Sequence, residues 1–217
     1  MAQNSEQINT LVFFDTETTG LPAQERGRTH ITELSLCAVR TCDLRNVTNG
    51  ELPRAINKIT LCLNPNKMID PGASKVSRLN NDLLEYYGKF DEIVFRIIEN
   101  FLLHLPKPIC LIAHNGDKFD YPILTKELEN IKKSLPEDIL CADSVIFYRQ
   151  FYAQQPRENK PERFKLCDIY KHLTKLPAPP NLHGAEEDSL VLMKCISLTP
   201  DIFPWLQKNA KTFTSSF

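Results

Sequence analysis

Asp15 and Glu17 close an apolar run, Val12-Phe-Phe-Asp-Thr-Glu-Thr-Thr-Gly20, and this pair is where the sequence first suggests chemistry. In an extended strand alternate side chains share a face, so Asp15 and Glu17 project together while Thr16 and Thr18 point the other way. Adjacent carboxylates repel unless they are protonated or bridged by cations. Hard divalent ions such as Mg²⁺ take oxygen ligands and keep bound water. A phosphodiester-cutting site built on two metals ~3.5–4 Å apart needs such a carboxylate cluster. A lone Asp-x-Glu is a weak signal, so further acids and a base must come from elsewhere in the chain.

Two other segments offer them. Ile109-Cys-Leu-Ile-Ala-His-Asn-Gly116 is a second apolar run closed by polar residues, followed by Asp117-Lys-Phe-Asp120-Tyr-Pro-Ile-Leu124. Pro122 suits a first helical turn, where its missing N–H is no loss, and Ile123, Leu124, Leu128 and Ile131 recur at helical spacing. Asp120 therefore stands at a helix start, where a carboxylate is also favoured simply as a cap or first-turn acid. His183-Gly-Ala-Glu-Glu-Asp188 opens a third periodic segment. Five residues on a helix turn through about 140°, so His183 and Asp188 do not share a face. The spacing puts His183 on the loop before the helix, with freedom to swing, and Asp188 in the first turn. Taken alone, His183 reads as a structural loop histidine. By composition His114 and Asp117 compete with these candidates, and His114 reads as a strand-end residue bonding the backbone.

The elements that must position these residues alternate. Strands are expected at 9–15, 31–42, 57–63, 109–114 and 139–143, and helices at 73–87, 91–104, 120–133, 144–151, 165–173, 186–197 and 200–208. In the 91–104 helix Ile93, Ile97, Ile98, Phe101 and Leu102 form the apolar stripe. Antiparallel strands followed by β-α-β units predict an α/β fold, a mixed five-stranded sheet flanked by helices. No repeat or boundary divides the chain, so one domain is expected over 1–217, with a core at about 9–208 and a short polar N-terminal tail. Residues 153–165 are polar and proline-broken, with Arg157, Lys160, Arg163 and Lys165 against Glu158 and Glu162, a formal charge of +2. They read either as a solvated mobile loop or as a basic arm for phosphates. Pro177-Ala-Pro-Pro180 reads as a stiff connector before His183.

Asp15-Thr-Glu17, Asp120 after Ala-His-Asn-Gly, and His183-x₄-Asp188 together resemble the three motifs of the DEDDh 3′→5′ exonucleases. The opening Phe-Phe-Asp-Thr-Glu-Thr-Thr-Gly-Leu-Pro, the stretch Cys110–Leu124 and Cys141-Ala-Asp-Ser144 are similar to the three-prime repair exonuclease branch. The likeness runs from about residue 9 to 208. It implies the ribonuclease H-like exonuclease fold and removal of mononucleotides from DNA with a free 3′ end. It also implies Asp15, Glu17, Asp120 and Asp188 as ligands of two Mg²⁺ or Mn²⁺ ions, with Asp15 bridging. His183 is then the general base, since imidazole ordinarily titrates near ~6.5. By the same match Asp120, not Asp117, is the ligand, and Leu21 wedges against the terminal base. Thr19, Gly20 and Leu21 present backbone groups to the last nucleotide, Val76 packs on the terminal bases, and Asn115, Lys118 and Phe119 line the cleft near the scissile strand. Thr16 joins this substrate-binding set. Relatives with this layout pair as homodimers through edge strands, which makes Lys58–Leu63 a candidate interface. Glu187 departs from the family, where a small residue is common, and adds negative charge beside Asp188.

Composition agrees with an ordinary globular chain of 217 residues, 42% hydrophobic, with no run near the ~18 apolar residues of a membrane span. The N-terminus lacks a signal-peptide pattern, and no hydrophobic tail follows before Phe217, so an intracellular protein of cytoplasm or nucleus without a membrane anchor is expected. Seven cysteines without a Cys-x-x-Cys read as reduced thiols rather than zinc ligands or disulfides. The net charge of −1 gives no global attraction to nucleic acid, so phosphate binding must rest on local charge and metal. The same chemistry also fits a 3′→5′ exoribonuclease or a proofreading module. A catalytically idle nucleic-acid-binding relative fits less well, because a pure binder has no need of five costly polar groups in one cleft.

Overall fold

The computed structural model describes residues 7–48, 51–180 and 182–213; residues 1–6 of the expected polar tail lie outside them. The chain runs β1 (Thr10–Thr18), α1 (Pro22–Glu25), β2 (Ile31–Arg40), α2 (Thr41–Arg45), β3 (Asn57–Cys62), α3 (Pro71–Ser77), α4 (Asn81–Leu84) and α5 (Glu92–His104). It continues with β4 (Ile109–Ala113), α6 (Asp120–Asn130), β5 (Leu140–Asp143), α7 (Ser144–Ala153), a 3₁₀ turn at Arg157–Asn159, α8 (Leu166–Thr174), α9 (Ala185–Ser197), α10 (Ile202–Asn209) and β6 (Lys211–Thr212).

The strands form one sheet in the order β3-β2-β1-β4-β5-β6, with β1–β4 and β4–β5 parallel and the other pairs antiparallel. The sheet has six strands rather than the five expected, because the two-residue β6 adds to the free edge of β5. Leu11, Val12, Phe13 and Phe14 are all fully buried, which is why β1 reads as a continuous apolar run: it is covered on both faces. Val12 and Phe14 pack with residues of α5 and α6, whereas Leu11 and Phe13 pack with residues of α7, α8, α9 and α10. The β1/β4 pair thus sits centrally, and its carboxyl ends open between the two helical layers. Parallel α/β sheets carry their sites at such ends.

Three local expectations change. The helix expected over 73–87 is broken into α3 and α4, because Arg78 adopts a left-handed conformation (φ 63°) and the Asn80 side chain caps a new helix by accepting from the Leu83 N–H at 2.9 Å. In α5 the buried stripe is Val94, Phe95, Ile98 and Leu102, while Ile93 and Ile97 face outward, a rotation set by the Asp91 cap and the sheet it meets. The short α1 and α2 went unforeseen, since each spans barely one turn. β3 is an edge strand, as the sequence reading required of it. All seven cysteines are unpaired thiols. Among the described residues no single helix is long and apolar enough to cross a membrane.

Candidate active site

β1 pairs with β2 in register up to Glu17↔Glu33, and the register then shifts, with Thr18 opposite Ile31. A bulge at this point bends the strand end and re-aims its side chains. Asp15 and Glu17 emerge here on the face that packs toward α9. Thr16 points to the opposite face, as alternation requires, and there it meets α6. Its backbone N–H and its hydroxyl both donate to Asp120 Oδ1, at 3.1 and 2.7 Å. Thr16 thus positions Asp120 through both its backbone and its side chain.

Asp120 is held from a second side. The ring of the next residue, Tyr121, stacks parallel to Phe14 of β1, and its hydroxyl accepts from the Ala113 N–H (3.0 Å) and donates to the Ala142 carbonyl (2.8 Å). Gly116 makes this approach possible, because a Cβ there would lie 2.6 Å from Ala113 Cβ and 2.8 Å from the Tyr121 ring. The first turn of α6 is thus bolted to β1, β4 and β5. Asp117, the competing acid, is ion-paired with Lys211 at 2.9 Å and donates its N–H to Asp143. His114 is half-buried with its ring nitrogens 2.9 Å from Ser144 Oγ and from the Phe164 carbonyl, and the loss of water around the ring pushes its pKa down to about 4. It is a structural histidine, as expected of a strand end.

The third motif arrives as α9. His183 lies two residues before the helix, exposed and in a left-handed conformation (φ 76°), and its backbone N–H donates to Asp188 Oδ1 at 3.3 Å. Asp188 is in the first turn. The charges of Asp120 and Asp188 reach both Asp15 and Glu17. Burial and then the charges of Asp120, Asp188, Glu17 and Glu33 raise the Asp15 pKa well above the usual carboxylate range. Burial, followed by Asp188, Glu33 and Asp120, pushes Glu17 up to about 8. Asp120 is also raised, chiefly by burial, against the opposing pull of Thr16. Burial raises Asp188, with Glu187 adding to the rise and the His183 N–H opposing it.

Only burial and other carboxylates act on Glu17, and no basic side chain offsets them. Such a set of oxygen donors suits a hard divalent cation, which would replace mutual repulsion by shared coordination. Among the described residues no three His, Cys, Asp or Glu side chains are yet drawn closely enough to close around an ion.

Beside the acids lies a cleft of about 410 Å³ lined by Glu17, Thr18, Gly20, Leu21, Gln24, Asp70, Gly72, Ala73, Val76 and Phe119. Leu21 and Val76 stand 55% and 48% exposed, so two apolar side chains from separate segments are held open at one opening. Thr19 departs from expectation. Its N–H donates to the His30 carbonyl (2.9 Å), its carbonyl accepts from the Asp70 N–H (2.8 Å), and its hydroxyl donates to Glu25 (2.6 Å). Both backbone groups are already used, so Thr19 joins the Leu21 wall to Asp70, the N-cap of the helix that carries Val76. Asn115 (φ 70°) and Lys118 are exposed on the loop before α6.

Two acids escaped the sequence reading. Glu33 sits across from Glu17 and accepts from the Ala185 N–H at 2.8 Å, tying α9 to β2; its signal was a lone charge inside the apolar run 31–39. Asp143 accepts from the N–H groups of Asn115, Asp117 and Val145 and so shapes the loop before Asp120; a strand-end Asp before a helix-starting Ser was the clue. The stretch 153–165 contains the 3₁₀ turn, and its Lys160 bonds the Ala153 carbonyl.

A mixed sheet between two helical layers, with acids gathered at the ends of its central strands, defines a nuclease-like α/β architecture. Solved structures share it: exonuclease I of E. coli in complex with single-stranded DNA superposes with a TM-score of 0.64 at 22% identity, over 92% of this chain and 43% of that one. Cell-death related nuclease 4 gives 0.67 at 15% identity, over 94% of this chain and 66% of that one. The chain thus spans less than half of the exonuclease I chain. The exonuclease (RNase T) family model matches residues 12–196. Three-prime repair exonuclease 1 of Homo sapiens is 33% identical over 220 residues, covering 95% of this chain and 69% of the relative. Three prime repair exonuclease 2 of Mus musculus is 31% identical over 218 residues, covering 95% and 91%. The chain belongs to the exonuclease family and, within it, to the three-prime repair exonucleases.

Proposed function

We propose that this protein is a divalent-metal-dependent 3′→5′ exonuclease that releases mononucleotides from the 3′ ends of single-stranded or frayed duplex DNA. The observation that carries this reading is the gathering of Asp15, Glu17, Asp120 and Asp188 at the strand ends, where Asp120 and Asp188 raise the proton affinity of Asp15 and Glu17, with the His183 N–H bonded to Asp188. Asp15, Glu17, Asp120 and Asp188 would hold two Mg²⁺ or Mn²⁺ ions. When bound, such ions lower the pKa of water and neutralise charge building up on the phosphate and the leaving oxygen. His183 takes the proton of the attacking water, and its exposed position before α9 lets the ring swing over the cleft and release that proton to solvent. Leu21 and Val76 grip the terminal base, with Phe119 and Gly20 in the same cleft lining, and Asn115 and Lys118, exposed on the loop before α6, reach toward the scissile strand. DNA is favoured over RNA by the kinship with the three-prime repair exonucleases. The exposed edge of β3 supports pairing of two copies about a two-fold axis. Seven unpaired thiols support an intracellular setting.

The test is incubation of 5′-labelled single-stranded DNA, duplex DNA and RNA with Mg²⁺, read as a product ladder. A ladder shortening from the 3′ end on DNA, abolished by excess EDTA, is expected. Full activity in EDTA overturns the metal reading, and shortening of RNA alone overturns the substrate.

A further inference from the structure

A second cavity, of about 540 Å³, is lined by Gly27, Arg28, Thr29, His30, Lys67, Lys126 and Asn130. Its lining includes three fixed cations and no acid, in a chain whose formal net charge is −1. The cavity shares two of its walls with the nucleotide cleft, and α6 closes the third with Lys126 and Asn130. The segment 20–30 contributes Gly20, Leu21 and Gln24 to the cleft and Gly27–His30 to the cavity; the segment 67–76 contributes Asp70–Val76 to one and Lys67 to the other. The partition between them, α1 and its flanks, is stiff. Glu25 accepts from Thr19 (2.6 Å) and from Lys67 (2.6 Å), and Lys67 also donates to the Arg28 carbonyl (3.0 Å).

The cations are available in different degrees. Lys67 is committed to the partition. Lys126 pairs only with exposed Glu129 at 3.2 Å, the kind of surface contact that adds little and exchanges readily. Arg28 has no carboxylate partner among the described residues, and its guanidinium suits two-pronged recognition of phosphate.

We propose that this cavity binds a backbone phosphate of the complementary, uncleaved strand when the substrate is duplex DNA. The proposal rests on the exonuclease reading and deepens it. Leu21 and Val76 stand at the mouth of a cleft that admits one strand end, so the opposing strand of a duplex must be turned aside over the other flank of α1. That flank is where Arg28, Lys67 and Lys126 line the cavity, while the neighbouring acids are engaged outside its lining: Glu25 with Lys67, Glu127 with His30 and Glu129 with Lys126. A strand crossing there replaces its counterions by Arg28 and Lys126, which makes the interaction strongly salt-dependent.

The test compares the wild type with Arg28→Ala/Lys126→Ala, which spares Lys67 and every residue of the proposed reaction, on single-stranded DNA and on blunt duplex DNA of the same cleaved strand. The expected result is a KM raised roughly tenfold for the duplex, with the plot of log affinity against log salt shallower by about 2. Single-stranded kinetics should stay within about twofold of wild type, and Arg28→Lys/Lys126→Arg should restore the duplex KM. An equal loss on both substrates would assign the cavity to the cleaved strand, and no loss on either would leave it without a role; each overturns the proposal. If the wild type itself shortens no DNA, it is the exonuclease reading that has failed.

Discussion

Replacing Glu17 by Gln should abolish activity and yet make the metal-free protein more stable, in a strictly pH-dependent way. Burial and three neighbouring carboxylates raise Glu17 from 4.5 to about 8. The sign follows from proton counting. Below pH 4.5 the side chain is protonated both folded and unfolded, and it contributes no difference. Between 4.5 and 8 the unfolded chain releases the proton while the folded chain retains it, so stability falls as pH rises, and above 8 the full cost is present. At ~1.4 kcal/mol per pH unit the ceiling is on the order of 5 kcal/mol. Because Glu17 also lines the open cleft, water screens it, and about 2 kcal/mol is the working figure. In a domain of this size ~2–4 °C accompanies each kcal/mol, so Glu17→Gln should raise Tm by ~4–8 °C in EDTA at pH 8.5 and by almost nothing at pH 4.5. Saturating Mg²⁺ should reverse the order, since the wild type gains binding energy that the variant lacks. Differential scanning calorimetry at both pH values, with and without metal, reads all four cases. A variant less stable than the wild type in EDTA at pH 8.5, or a gap of equal size at pH 4.5, would refute the electrostatic account of this cluster.

Asp15→Asn, Asp120→Asn and Asp188→Asn should each lower kcat/KM on single-stranded DNA by at least ~10²-fold, because each removes charge aimed at the transition state, while Asp117→Asn stays near wild type. His183→Ala should lose activity similarly at neutral pH but still bind DNA in Ca²⁺, measured by fluorescence anisotropy. Thr16→Val removes one charge-assisted donor from Asp120 and should lower Tm by the equivalent of ~1–3 kcal/mol together with kcat, whereas Thr16→Ser should restore both. Light scattering at micromolar concentration should give a mass near twice 24.9 kDa; a value near 24.9 kDa rejects the dimer.

The sequence by itself determined whatever repeats along one element. Period two placed Asp15 and Glu17 on one face of β1 and Thr16 on the other. Helical spacing, with Pro122 in the first turn, put Asp120 at the start of α6, and the five-residue gap set His183 outside α9 and Asp188 within it. These patterns are local because they record which face of a single strand or helix is covered. Only the tertiary structure decided what no local period carries. It set Glu33 opposite Glu17 through cross-strand register, made Thr16 the clip on Asp120, and spent the backbone groups of Thr19 on joining the two walls of the cleft. It likewise separated Asp120 from Asp117, three residues apart and alike in composition, by turning one toward β1 and pairing the other with Lys211 at the far edge of the sheet. Such choices depend on groups about a hundred positions apart meeting in space, and a carboxylate's chemistry is set by those neighbours and by its loss of water.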